Sequence, residues 1–326
     1  TITSLKADIV LDKNGIRWNG GKTTFKNIEG FQNLSLGTGN DRLDFSAWSC
    51  DDSVLTGPGD DVINPGLGKD TVSGGEGIDT LILDYSTLSS RINSLVNGDG
   101  SGSIYLEANQ GTASVTYANS IENISLIATN FNDIIQLGRG SDAIHAGPGN
   151  DTITSGGGAD SIVAFDATSI TPGRGERDQV ILGAGAERLV LGAADRCAYD
   201  DGTSGAGEGD ALQVDGFNKQ EDAFQLAGQR SWYRLDVQNG NTRLLLRAGV
   251  APGIQGADEL VAVITGVTGL DLGDTAFQFL PPSNTAPRHT ILAPKSVVAA
   301  AQERLALPLR YSYSTGDTST RSFQLA

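Results

Sequence analysis

Between residues 36 and 82, and again between 128 and 163, single aliphatic residues recur at near-constant spacing among glycines and polar residues. They are Leu43, Val54, Ile63, Val72 and Leu81, then Ile135, Ile144, Ile153 and Ile162. Apart from the longer interval between Leu43 and Val54, each step within a stretch is nine positions. Each aliphatic follows an aspartate by two positions. Side chains alternate across a strand, so an apolar residue between two polar ones predicts a three-residue strand with one side chain pointing inward. The glycines ahead of each aspartate allow positive φ and hence a tight turn. A strand and a turn in so short a unit leave no room for a helix. Two such units close a coil of about 18 residues, so the pattern predicts an all-β parallel roll of two sheets around a thin aliphatic core.

The units read as two blocks of G-G-x-G-x-D-x-U-x. The first holds LGTGNDRLD (36–44), the longer FSAWSCDDSVL (45–55), TGPGDDVIN (56–64), PGLGKDTVS (65–73) and GGEGIDTLI (74–82). The second holds ATNFNDIIQ (128–136), LGRGSDAIH (137–145), AGPGNDTIT (146–154) and SGGGADSIV (155–163). Aspartates on one side of the roll should recur at every second unit. Asp61 and Asp79, Asp52 and Asp70, Asp133 and Asp151, Asp142 and Asp160, and Asp160 and Asp178 all have this spacing. Coils stack about 4.8 Å apart. Carboxylates that close repel by roughly 1–4 kcal/mol per pair at effective dielectrics of 80 to 20. A hard dication between them reverses the sign. Ca²⁺ accepts six to eight oxygens in flexible geometry, whereas Mg²⁺ demands a tighter octahedron.

These blocks resemble the parallel β-roll of the RTX family, exported repeat proteins that include toxins, proteases, lipases, adhesins and surface-layer proteins. The resemblance implies several Ca²⁺ ions, each held by motif positions two, four and six of one loop and one, three and six of the next loop on that side. Carried over, one site uses Gly57, Gly59 and Asp61 with Gly74, Glu76 and Asp79. A second uses Gly138, Gly140 and Asp142 with Ser155, Gly157 and Asp160. A third uses Gly156, Gly158 and Asp160 with Gly173, Gly175 and Asp178. Aspartates contribute side chains and the other positions carbonyls. The sequence departs from the motif in three places. Thr129, Asn130 and Phe131 replace the loop residues before Asp133. The longer unit puts Asp41 and Asp61 out of the two-unit spacing. After Val163 the repeat decays, with displaced glycines in GRGERDQVI (173–181) and Glu187 at the aspartate position of LGAGAERLV (182–190).

Around the blocks the chain divides into a β lead-in (1–35), roll block 1 (36–84), a second lead-in (85–127), roll block 2 (128–210), a β-structured cap (211–280), and a linker with the start of an Ig- or cadherin-like module (281–326). A longer period supports the lead-ins: Ile28-Glu29 before Asp41 matches Ile121-Glu122 before Asp133. The segment ALQVDGFNKQEDAFQL resembles a closing element found after RTX rolls. A cap is expected because a last coil exposes an apolar end and an unpaired edge.

Composition narrows the partners. A net charge of −16 repels nucleic acid and anionic lipid, and no apolar run is long enough for membrane insertion. Cys50 and Cys197 lack the spacing of a disulfide framework or zinc site and read as buried thiols. Gly20-Gly21-Lys22-Thr23 lacks the upstream glycine of a P-loop. Neither H-E-x-x-H nor G-x-S-x-G occurs, so no catalytic residue or organic cofactor is assigned. The chain starts at Thr1 without Met and reads as part of a longer protein. The resemblance then implies a calcium-binding structural segment of a large secreted or cell-surface bacterial protein, a surface layer, filament or adhesin, with self-association or cell-surface components as partners. Its alternative is a C-terminal export and folding domain of a secreted protease or lipase whose catalytic part lies outside this chain.

Overall fold

The computed structural model describes residues 9–12, 15–18, 21–23, 30–107, 113–193, 196–201, 207 and 209–280. The expected module in 281–326, and the Asn27-Ile28-Glu29 step, lie outside them. Two sheets run side by side along the chain, each with 13 strands among the described residues. There is no α-helix among those residues, only a 3-10 turn at Arg230–Trp232, and no helix long and apolar enough to cross a membrane.

Consecutive nonapeptides alternate between the sheets. In the first sheet Arg42–Asp44, Val62–Asn64 and Thr80–Asp84 pair in parallel, with Leu43 beside Ile63 and Ile63 beside Leu81. In the second sheet Val54 lies beside Val72. Farther along, Ile144 lies beside Ile162 and Ile135 beside Ile153. All nine of the expected inward aliphatics are buried, none more than 4% exposed. They join one apolar cluster that extends from Leu11 to Phe277. Each such side chain contributes about 1.5–3 kcal/mol by leaving water.

The blocks are not separated by the segment between them. Strands Ile92–Val96, Gly102–Leu106 and Ser114–Tyr117 form an antiparallel meander inside the second sheet. Its last strand pairs in parallel with Lys69–Ser73 of block 1, and its first with Ile134–Gln136 of block 2. In the first sheet Asn123–Ile127 lies between Thr80–Asp84 and Ala143–His145. Ile124 faces Leu81 while Leu126 faces Ile144. The strand therefore shifts the register by an even step, which keeps the same face inward.

The C-terminal strands continue both sheets. Ala211–Asp215 pairs with Arg177–Ile181 and Glu259–Ile264. Ala223–Ala227 pairs with Arg188–Ala193 and Phe277–Leu280. Phe217, Phe224 and Phe277 stack at this end, with ring centroids 4.7 and 5.7 Å apart. At the other end Trp48 stacks on Phe45 and Phe31 where the extra residues of the longer unit turn. The cysteines depart from expectation: both are free but only partly buried, and Cys197 Sγ sits 3.4 Å from the Tyr233 hydroxyl.

Replacing Ile144 by Ala opens a cavity between the sheets and should lower stability by about 2–5 kcal/mol, seen as a fall in the calorimetric midpoint. Ile134→Ala, on the outer face of strand Ile134–Gln136 in the second sheet, should shift stability by no more than about 0.5 kcal/mol.

Candidate metal centre

The aspartate of each repeat stands where the turn enters the strand, and the strand's direction carries its side chain inward. There it accepts a hydrogen bond across the coil spacing. Asp41 N–H donates to Asp61 Oδ1 (2.7 Å), and Asp61 N–H to Asp79 Oδ1 (2.9 Å). Asp52 N–H donates to Asp70 Oδ1 (2.9 Å) on the opposite sheet. In the second block Asp142 N–H donates to Asp160 Oδ1 (2.8 Å) and Asp133 N–H to Asp151 Oδ1 (2.7 Å). One position earlier a second, more exposed ladder runs in the opposite sense. Asn40, Asp51, Asp60, Asn123, Asn132 and Asn150 each accept the amide of the following coil. Asn or Asp recurs at that position in the sequence, yet the nonapeptide motif leaves it unmarked, and it was not among the expected functional residues.

The inner ladder uses one oxygen per carboxylate. Oδ2 of Asp52, Asp70, Asp79, Asp142, Asp151 and Asp160 is buried with no hydrogen-bond partner. A buried acceptor left open costs about 1–3 kcal/mol, and more when charged. Burial, together with the neighbouring carboxylates, pushes Asp70 and Asp79 up to about 7 and Asp151 up to about 9. Burial moves Asp160 up to about 6, and burial plus Asp160 holds Asp142 well above the usual carboxylate range. Rows of open oxygens that resist ionisation fit a hard cation, because Ca²⁺ supplies both the missing partner and the missing positive charge.

The structure brings the first two expected ligand sets together. Gly57 N–H donates to Gly74 O (2.7 Å) and Gly59 N–H to Glu76 O (2.8 Å), with Asp61 on Asp79. Gly157 N–H donates to Gly138 O, Gly140 N–H donates to Gly157 O, and Asp142 meets Asp160; Ser155 lies in the same loop as Gly157. Gly74 O already has a second donor in the Thr56 hydroxyl (3.0 Å), so the carboxylates hold the open valence of that loop. Close stacking requires glycine. A Cβ on Gly158, at φ +122°, would lie 1.7 Å from Gly140 O.

The third expected set is not brought together. Residues 164–176 form turns with no strand, so the chain reaches Arg177–Ile181 in the second sheet one full nonapeptide late. Asp178 therefore stacks on Asp151, whose N–H donates to its Oδ1 at 2.8 Å. Gly175 N–H turns to Asp210 Oδ2. The loop over Gly156, Gly158 and Asp160 belongs instead to Gly183, Gly185 and Glu187. Strand Gly157–Gly158 pairs with Ala184–Gly185, and Arg188 N–H donates to Asp160 O. Glu187 lies three nonapeptides beyond Asp160. It is 1% exposed, and both its carboxylate oxygens are without hydrogen-bond partners. Burial and Asp222 push it up to about 8.

Two carboxylates have found protein donors where the motif departs. Asp133 accepts from Ile92 N–H at 2.7 Å and from both the amide and the hydroxyl of Thr129, at 2.8 Å each. Asp178 Oδ2 accepts the Tyr199 hydroxyl. These hydroxyls occupy oxygens that stay open in the regular repeats.

A parallel β-roll whose turns carry stacked, half-satisfied carboxylates defines a metal-binding repeat solenoid. The model of the RTX calcium-binding nonapeptide repeat matches in four copies over residues 51–81 and 127–162, so the chain carries calcium-binding repeats of the RTX type. Ca²⁺ is the ion of that repeat. No curated protein matches the chain in sequence. Among solved structures, the extracellular lipase LipA from Serratia marcescens is similar at 12% identity and a TM-score of 0.26. That alignment covers 74% of this chain and 37% of the lipase.

Two outcomes follow from the open carboxylates. An acid whose pKa is raised on folding binds its proton more tightly folded than unfolded, so ionisation opposes folding. In chelator the thermal midpoint should fall as pH rises from about 4 through 7 to 9, the interval between the ordinary carboxylate value and those of Asp70, Asp79 and Asp151. Saturating Ca²⁺ should flatten that profile; a midpoint rising with pH in chelator contradicts the assignment. Asp151→Asn removes a buried charge while keeping the amide acceptor. Calorimetry should show its midpoint above wild type in chelator and below wild type in Ca²⁺.

Proposed function

We propose that this chain is a calcium-binding structural segment of a large secreted or cell-surface protein, folded and stiffened by Ca²⁺ after export. The observation that carries this reading is the row of buried Oδ2 atoms at Asp52, Asp70, Asp79, Asp142, Asp151 and Asp160 within one continuous pair of sheets. In low calcium those carboxylates repel inside a thin core, and chain entropy prevails. In calcium-rich surroundings each ion joins two coils, and stability adds along the solenoid by nearest-neighbour contacts. Folding is then deferred until the chain meets calcium outside the cell. The role is mechanical rather than catalytic: a rod of fixed length that presents its neighbours in the full-length protein or associates with surface components.

Circular dichroism against free Ca²⁺ tests the coupling. The β signal should be reduced in excess chelator and rise cooperatively with calcium. A chain equally folded in chelator rejects the coupling. Asp79→Ala and Asp160→Ala should each move the midpoint to higher calcium, with Asp160→Ala having the larger effect because its carboxylate lies between Asp142 and Glu187.

A further inference from the structure

The C-terminal strands contain a second kind of acidic site, outside the nonapeptide register. Glu259 opens strand Glu259–Ile264 and is 1% exposed on a strand otherwise made of Leu260, Val261, Ala262, Val263 and Ile264. Two half-buried aspartates, Asp200 and Asp201, reach it from the segment after strand Arg196–Cys197. One carboxylate oxygen from each of the three lies within 4.8 Å of the others. Two oxygens on opposite sides of a Ca²⁺ ion, at about 2.4 Å each, stand about 4.8 Å apart. The three carboxylates are thus close enough to share one ion.

Two further observations point to a ligand. Asp210, just before strand Ala211–Asp215, is 0% exposed; its Oδ2 accepts Gly175 N–H at 2.9 Å, while its Oδ1 is buried with no partner. The charges of Asp201 and Asp200 act on this carboxylate, and those of Asp201, Asp210 and Asp200 act on Glu259, so Asp210 lies within electrostatic reach of the same cluster. Gly207 packs its backbone directly over the Glu259 carboxylate: a Cβ there would lie 1.8 Å from Oε1. Among the described residues the donor to Glu259 is the Asp201 amide, at a long 3.4 Å. An all-oxygen donor set without His or Cys selects a hard cation over zinc or copper.

We propose that Asp200, Asp201 and Glu259, with Asp210 beside them, hold a Ca²⁺ ion that ties the segment after strand Arg196–Cys197 to the C-terminal strands. This ion stands apart from those of the repeats, since its ligands come from three segments at irregular spacing rather than from stacked turns. It fixes the point where the regular roll gives way to its closing strands.

Native mass spectrometry of the whole chain in saturating CaCl₂ counts the ions. Glu259→Gln and Asp201→Asn should each bind one Ca²⁺ fewer than wild type, and Asp79→Ala combined with Glu259→Gln should lose the sum of the two single losses. An unchanged count in both Glu259→Gln and Asp201→Asn overturns the proposal. If Glu259→Gln fails to fold, Asp201→Asn decides, because Asp201 is only half-buried and its loss leaves the core intact. A wild-type chain whose only ion disappears in Asp201→Asn would keep this site while rejecting the repeat sites, so the two readings fail separately.

Discussion

The interaction on which the rest depends is the hydrogen bond from an aspartate's backbone N–H to the carboxylate of the aspartate one coil further on. It fixes coil against coil at the turns, where there is no ladder of longer strands to do so. It also leaves carboxylates such as those of Asp79 and Asp160 half satisfied, with one oxygen on an amide and the other buried without a partner. The core between the sheets is one aliphatic side chain thick per strand. It cannot outweigh a row of buried charges by apolar contact alone, so the fold and the cation requirement have the same origin.

Much of this was legible in the residues. The step of nine with one aliphatic at its centre specified three-residue strands and the inward set from Leu43 to Ile162, because in a short strand only the middle side chain can face a core. The pairs Asp61/Asp79 and Asp142/Asp160 followed from the same arithmetic, and the structure stacks them. The arithmetic failed where a nonapeptide's worth of chain did not cross between sheets. Residues 164–172 lack the G-x-G-x-D turn and the following strand, so counting by nines put Asp178 over Asp160 when it lies over Asp151. Glu187 was passed over for the same reason: its acidic neighbours, Asp160 and Asp222, stand off the two-unit spacing.

Other features depend on tertiary contacts that periodicity does not encode. Thr129 was visible as a lost glycine, but not as the donor that completes Asp133. Tyr199 gave no hint of its role at Asp178, because its hydroxyl arrives from a segment outside the repeat. The cluster around Glu259 joins segments distant in the chain, with no common spacing to reveal it. Where the motif holds, the second oxygen stays open; at Asp133 and Asp178 the hydroxyls of Thr129 and Tyr199 fill that place, whereas Glu187 keeps both of its oxygens open.

The antiparallel meander between the blocks has a consequence for how binding at one turn is felt at another. The acid ladder of the second sheet stops at Asp70, which faces Val115 across the sheet, and resumes only at Asp133. In the first sheet the slip at Asn123–Ile127 sets Glu122 against Asp79 but Ile124 against Asp142. No carboxylate row passes through the middle of the solenoid, although both sheets do. The molecule is mechanically one rod but electrostatically two short lattices, each with frayed terminal members. An ion in one block has no row of stacked carboxylates leading to the other, so the two blocks meet through strand pairing.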